Sequence, residues 1–451
     1  MMPAQKVSGP KGKLLFGNYF EFDRDPLNFI LRCSQDYGDI VRLKAFNLEF
    51  YLLNHPDLIE EVLVTKNKIF IKDKGLKTRS SRRLFGQGLL TSEGDFWLRQ
   101  RRLSQPAFHK ERIAGYGAVM VRDTTRMINQ WKNGEVRDIH ADMMRLTLGI
   151  VAETLFGTDA TANAEVVGNA LEIVSEQFSS QGGISQLLDN LFPTPNYLKF
   201  EKVVQRLDEI IYQIIDQRRA HAGDRDDLLS LLLKARDDDG SRMSDKQLRD
   251  ELMTLFLAGH ETTALTLSWT WLVLGQHPEV ERKLFEEIES VLGERMPAVA
   301  DLPRLQYTDM VVKESMRLYP PAWMIGREAM EDCEIGGCRI PKGAQVLMSQ
   351  WSMHRNPGYF SDPIRFHPER WQMEESKRLP KYAYFPFGGG PRLCIGNAFA
   401  MMEANLILAT IAQKCRLELQ PNQKITPMPS ITLRPKEGIF VTVRKRQEFK
   451  V

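Results

Sequence analysis

"FPFGGGPRLCIG", Phe385–Gly396, sets a single cysteine, Cys394, behind three consecutive glycines and two residues after a cation, Arg392. The following "GNAFAMMEANLILATIAQKC" predicts a helix that begins directly after the thiol. Two chemistries fit a lone cysteine at a helix start. One is a nucleophile, whose thiolate the helix N-terminus stabilises. The other is a metal ligand, which is also a thiolate. The flanks favour the ligand. Gly388, Gly389 and Gly390 remove side chains where something flat must approach the backbone. Nearby N–H groups can donate to the sulfur and tune it, and Arg392 suits a carboxylate on the bound group. A nucleophile needs a histidine base, and none lies in this loop.

The remaining composition narrows the class. The chain has 451 residues, 43% of them apolar, enough for a large core and against disorder. Length alone allows about three average domains, but no repeat or linker divides the chain. One domain over residues 1–451 is expected, with its β-rich portion mostly N-terminal and its helix-rich portion central and C-terminal. The net charge of +3, from 61 basic against 58 acidic residues, implies no polyanion or nucleic-acid partner. "KTRSSRR" (77–83) and "RQRR" (99–102) are locally basic, either as solvated surface or as a docking face for an acidic protein. No stretch of about 18 apolar residues predicts a transmembrane anchor, and the first residues lack the apolar core of a signal peptide. A cytoplasmic location is therefore expected. Five cysteines, an odd and low number, are expected to be reduced thiols. Cys333 and Cys338 lack the second pair that a zinc site requires.

Element signals predict a mainly α chain with small β-sheets, an α+β fold. "PLNFILRCSQDYG" has helical spacing, and "IVRLKAF" and "EFYLLN" read as strands around a tight turn at Asn47. "AEVVGNALEIVSEQF" and "YLKFEKVVQRLDEIIYQIIDQRRAHAG" form an amphipathic pair, separated by "GG" (182–183) and "PTPN" (193–196), that serves either as a lid or as static surface. Residues 244–276 carry a Ser244/Gln247 capping box and predict a buried helix about 50 Å long at ~1.5 Å per residue.

Three further motifs raise chemical questions. "AGHETT" (Ala258–Thr263) puts a glycine and four polar residues into an apolar helix, where unpaired polar groups are costly. Gly259 can open space beside a planar group, Thr262 can bend the helix by bonding back to a carbonyl, and Glu261 with Thr262 can relay protons. The alternative is a kinked structural helix with a satisfied polar cluster. "ESMR" puts Glu314 and Arg317 on one helix face, and Arg370 of "HPERW" can join them. "WLRQR" puts Trp97 and Arg101 on one face, both donors suited to a carboxylate; an exposed cation–π pair explains them equally well.

Phe387, Gly390, Arg392, Cys394 and Gly396 resemble the haem loop of the cytochrome P-450 family, Phe-x-x-Gly-x-Arg-x-Cys-x-Gly, and the three other motifs follow in that family's order. The resemblance implies the cytochrome P-450 fold, with the long central helix over the haem and the cysteine loop beneath. It implies haem b with Cys394 as the iron's axial thiolate. It also implies an oxygen pocket at Ala258, Gly259, Glu261 and Thr262, and a structural clamp at Glu314, Arg317 and Arg370. Haem contacts are implied at Trp97, Arg101, Arg327, Phe387, Arg392 and Gly396. The activity implied is monooxygenation of an apolar fatty acid, terpenoid or steroid by a protein of the soluble bacterial type, expected to be a monomer. No dinucleotide fingerprint or Cys₄ iron–sulfur spacing occurs, so electrons must come from a ferredoxin or flavodoxin with an NAD(P)H reductase. Arg99 and Arg102 are candidate docking charges. A peroxide-dependent enzyme of the same fold and a haem-binding sensor stand as alternatives.

Overall fold

The computed structural model describes residues 7–157, 170, 173–174, 176–178, 192, 194–220, 227–236, 240 and 242–446. Helix α1 (Pro26–Asp36) is capped by the Asp25 carboxylate, which accepts from the Asn28 N–H, and Pro26 occupies the first turn, where no N–H is needed. Strands β1 (Ile40–Ala45) and β2 (Leu48–Leu53) pair antiparallel through a two-residue turn. The left-handed position of that turn is Phe46, with φ of 54°, rather than Asn47. The chain continues through α2 (Pro56–Glu60), β3 (Phe70–Lys72), α3 (Arg79–Phe85), α4 (Gly94–Ser104), α5 (Lys110–Gln130), β4 (Val136–Asp138), α6 (Ile139–Phe156) and α7 (Pro195–Ala220). It then forms α8 (Asp245–Gln276), α9 (Pro278–Leu292), α10 (Gln306–Leu318), β5 (Ile325–Ala329), β6 (Cys333–Ile335), β7 (Cys338–Ile340) and β8 (Gln345–Met348). Helix α11 (Asn397–Lys414), β9 (Cys415–Leu419), β10 (Pro427–Pro429), β11 (Leu433–Pro435) and β12 (Phe440–Lys445) complete it.

The mainly α reading holds, while the β portion is less N-terminal than expected. The largest sheet runs β1-β2-β8-β5-β3 and takes two of its five strands from residues 325–348. Only β2 and β8 run parallel within it. Its edge pairing matters for the site, because β3 against β5 sets Lys72 opposite Arg327.

Helix α8 is the axis of the helical layer. Ser244 and Gln247 form the reciprocal cap, with bonds of 3.3 Å and 2.7 Å. The helix packs against α6, α10 and α11 and buries nearly every residue from Leu248 to Leu274. Ala258, Gly259, Glu261 and Thr262 are the accessible exceptions. A Cβ on Gly259 would meet Val151 of α6 at 3.3 Å. Its missing side chain therefore eases the approach of α6 to α8 at this point.

The first member of the amphipathic pair, 164–178, lies largely outside the described residues, as does "GG" (182–183); the second member is α7. Part of the basic run 77–83 is engaged within the protein, while Arg82 is exposed. Arg83 pairs with Glu201 at 2.5 Å and Asp208 at 2.9 Å, Lys77 pairs with Glu328 at 3.0 Å, and the Arg79 guanidinium lies 4.2 Å from the centre of the Tyr197 ring. Cys333 and Cys338 sit on the β6–β7 hairpin, and all five cysteines are free thiols.

Candidate active site

The cysteine loop is built by its backbone. Gly388 and Gly390 adopt φ of 72° and 63°, a region costly for any side chain. A Cβ on Gly390 would fall 1.9 Å from the Leu63 carbonyl oxygen, and one on Gly389 would fall 2.3 Å from the Tyr382 ring. Two of the three glycines therefore let the loop fold against its own protein, which sequence reading had assigned to a flat bound group. The loop closes as the Cys394 N–H donates to the Phe387 carbonyl at 3.0 Å and the Leu393 N–H to Gly390 at 3.1 Å. The Cys394 side chain stays accessible. Close packing pushes its thiol pKa up, opposed by the Gly396 N–H and by Arg101.

Loop and α4 interlock through two arginines. Arg101 of α4 donates to the Leu393 carbonyl at 2.8 Å. Arg392 of the loop donates to the Ser92 carbonyl at 2.8 Å, pairs with Glu93, and stacks 4.0 Å from the centre of the Trp97 ring. Arg327 and Lys72 approach from the sheet edge. This cluster holds four cations, Lys72, Arg101, Arg327 and Arg392, against two carboxylates, Asp73 and Glu93. The electrostatics report that imbalance. Burial, Arg327 and Arg392 push Lys72 down to about 7. Burial first, then Arg327 and Arg101, bring Arg392 to about 10 despite Glu93. A buried site with two surplus positive charges and a forked donor set fits a dianion such as the paired propionates of haem. The residues present fit the cofactor.

A second network fixes the loop from below. Glu314 accepts from Arg317 at 2.8 Å and 2.9 Å, from Arg370 at 2.8 Å, from the Trp371 indole at 2.9 Å and from the His367 N–H at 3.0 Å. Arg317 also donates to the His354 carbonyl at 2.8 Å, and the His354 ring accepts the Phe385 N–H at 3.0 Å. Burial, Arg317 and Arg355 hold His354 well below its usual pKa, so the ring is neutral and Nε2 is free to accept. The chain of bonds ends on the first residue of the cysteine loop.

On α8, Thr262 donates back to the Ala258 carbonyl at 2.8 Å, as the sequence predicts. Thr263 faces Glu403 of α11, a fully buried carboxyl whose pKa burial raises far above the usual range. Glu261 turns toward the C-terminal hairpin, where Arg434 Nη2 lies 2.7 Å from it and Thr432 donates to the same oxygen. Burial alone would raise the Glu261 pKa, but Arg434 and the Thr432 hydroxyl lower it overall. His260 carries its Nδ1 3.0 Å from the Phe256 carbonyl and takes no part in this pairing.

The structure thus gathers Trp97, Arg101, Arg327, Phe387, Arg392, Cys394 and Gly396 around one loop, and sets Ala258, Gly259, Glu261 and Thr262 along α8. Sequence reasoning missed Lys72, Glu93, His354, Glu403, Thr432 and Arg434. Only Glu403 carried a signal, a lone acid within the apolar pattern of its helix.

The family model described as Cytochrome P450 matches residues 7–443. Cyclooctatin synthase of Streptomyces melanosporofaciens is 40% identical over 432 residues, covering 94% of this chain and 92% of that protein. Cyclooctat-9-en-7-ol 5-monooxygenase of the same organism is 37% identical, covering 94% and 91%. Pentalenene oxygenase of Streptomyces avermitilis is 34% identical, covering 94% of each. A match of that extent shows the family directly, and the chain belongs to the cytochrome P450 family.

Proposed function

We propose that this haem-thiolate monooxygenase inserts one oxygen atom from O2 into a terpenoid within a single catalytic domain, with electrons from a separate ferredoxin or flavodoxin and its reductase. The observation that carries the substrate class is the 40% identity, over 94% of the chain, to cyclooctatin synthase, with pentalenene oxygenase among the further relatives. The apolar residues Phe256 and Leu257, six and five positions before Thr262 on α8, and Trp323, just before β5, are buried and are the candidate wall for such a molecule. Spectral titration with terpenoids, fatty acids and steroids tests the class. Terpenoids are expected to give the low-to-high-spin shift of a displaced iron-bound water. A shift with fatty acids or steroids alone would overturn it.

When bound, haem b supplies the iron that activates O2, and the Cys394 thiolate pushes electron density onto it. Lys72, Trp97, Arg101, Arg327 and Arg392 are the groups that would hold its propionates. The Gly396 N–H and Arg101 favour the thiolate form of Cys394. Glu261 and Thr262 bring protons to the oxygen side, and the apolar wall keeps bulk water away. Among the described residues no helix is long and apolar enough to cross a membrane.

The electron donor is expected to dock where α4 meets the cysteine loop, since Arg102 and Leu98 are exposed on α4 and Pro391 and Leu393 on the loop. Arg102→Glu is expected to slow reduction by an acidic ferredoxin about tenfold at low salt, with the difference fading as salt rises. Stopped-flow reduction across ionic strengths measures this; unchanged rates and salt dependence would remove Arg102 from the docking face.

A further inference from the structure

Glu261 is tied to the C-terminal hairpin by one oxygen only. Arg434 Nε donates to Oε1 at 2.8 Å, Arg434 Nη2 lies 2.7 Å from the same atom, and the Thr432 hydroxyl donates to it as well. Among the described residues no such bond reaches Oε2. The two charged side chains are 14% and 13% exposed, so solvent reaches the pair without flooding it. The hairpin β10–β11 that carries Arg434 is itself pinned. The Leu433 N–H donates to the Pro321 carbonyl at 2.9 Å, the Trp269 indole to Leu433 at 3.0 Å, and the Trp323 indole to Ser430 at 2.9 Å. The guanidinium is therefore held in place by three contacts outside the ion pair.

The other titratable groups around Glu261 leave Arg434 as the governing charge. His260 on α8 is held below its usual pKa by burial and is neutral. His140, from α6, is pushed down to about 4, by burial first, and is neutral too; its Nδ1 lies 3.1 Å from Ser268. Asp138, which caps α6 by accepting the His140 N–H, is the remaining acid that acts on His140. Without Arg434, burial would drive the Glu261 carboxyl toward its neutral form.

We propose that Arg434 is the positioning residue for proton delivery: it anchors Glu261 through Oε1 and leaves Oε2 as the oxygen on which each proton enters before it leaves toward Thr262. The step balances. A proton from bulk solvent, carried by water that is left neutral, enters on Oε2; the carboxyl passes one to the Thr262 hydroxyl, that hydroxyl gives up its own proton on the oxygen side, and the carboxylate is restored with no change of oxidation state. The inference rests on reading Glu261 and Thr262 as the proton path.

The test uses haem-loaded wild type, Arg434→Gln, Arg434→Lys, Thr432→Val, Glu261→Gln and the double variant E261Q/R434Q. One readout is the fraction of NAD(P)H electrons found in product. The other is NMR titration of carboxyl-labelled glutamate, with Glu261 assigned by its loss in Glu261→Gln. Arg434→Gln is expected to raise the Glu261 midpoint by about one to three units. It is also expected to lower coupling about fivefold or more and to add a pH inflection that E261Q/R434Q lacks. Arg434→Lys should restore most of the wild-type profile. An Arg434→Gln enzyme with an intact Soret band that titrates and couples as wild type overturns the proposal. Wild-type coupling in Glu261→Gln would instead remove the proton path itself. If Arg434→Gln does not load haem, Thr432→Val, which removes one bond to Oε1 without touching a charge, is expected to raise the midpoint and lower coupling about twofold; no change in either overturns the proposal.

Discussion

Cys394→Ser removes the thiolate-type absorbance of the reduced carbon monoxide complex and lowers oxygenase turnover by more than about 100-fold, beyond the usual cost of losing an outer-shell partner. The substitution is nearly isosteric, and the loop does not depend on the sulfur for its shape. The Cys394 N–H still donates to Phe387, Arg101 still holds the Leu393 carbonyl, and Arg392 still holds Ser92 and Glu93. The folded protein is therefore expected to persist and to differ in its ligand alone. Cys33→Ser is the control. Cys33 is buried in a separate cluster under β1 and β2, and burial pushes its thiol up to about 12, so it is neither thiolate nor ligand. Reduced carbon monoxide spectra of both variants measure this; a serine variant at 394 that kept the thiolate-type band would remove the cysteine from the iron.

What the sequence disclosed and what it withheld divide along contact distance. The cysteine loop was legible because its requirements are local: the helix start, the cation and the left-handed glycines all fall within twelve residues. The capping box that opens α8 was legible for the same reason, since Ser244 and Gln247 are three residues apart. Glu314 and Arg317 share a helix face, and Arg370 announced itself through a recognisable "HPERW". The residues that went unseen act across the chain. Lys72 reaches the site because β3 pairs with β5, more than 250 positions away. Arg434 reaches Glu261 from a hairpin 173 residues downstream. His354 reaches Phe385 from 31 positions upstream, with its carbonyl held by Arg317. At Gly259 the structure adds a neighbour that the sequence did not show, Val151 of α6, which a Cβ would meet at 3.3 Å. Sequence pattern shows that a side chain is missing but not what presses into the gap.

Glu314→Ala is expected to be the most damaging single change for the fold. Its carboxylate is fully buried and takes five hydrogen bonds, two of them from a guanidinium, Arg317, that is itself 0% exposed. Removing it strands Arg317 and Arg370 without a counter-charge, and breaking a buried pair in this way costs about 3–5 kcal/mol. Set against a total stability of roughly 5–15 kcal/mol, that loss leaves little margin. Arg317 would keep its bonds to the carbonyls of His354 and Pro363, but carbonyl oxygens carry only partial charge and do not neutralise it. The damage should then reach the site, because Arg317 positions His354 and His354 positions Phe385. Haem content per folded protein is expected to fall together with the denaturation midpoint. His354→Gln separates the two effects. It leaves the ion-pair network whole and removes the ring acceptor for the Phe385 N–H, so it should lower haem retention with a stability loss nearer 1–3 kcal/mol, about the cost of one unsatisfied buried donor. Denaturant titration and the Soret-to-protein absorbance ratio measure both quantities. A Glu314→Ala protein of wild-type stability would mean that the buried arginines find other anions, and the clamp would then not be what fixes the cysteine loop.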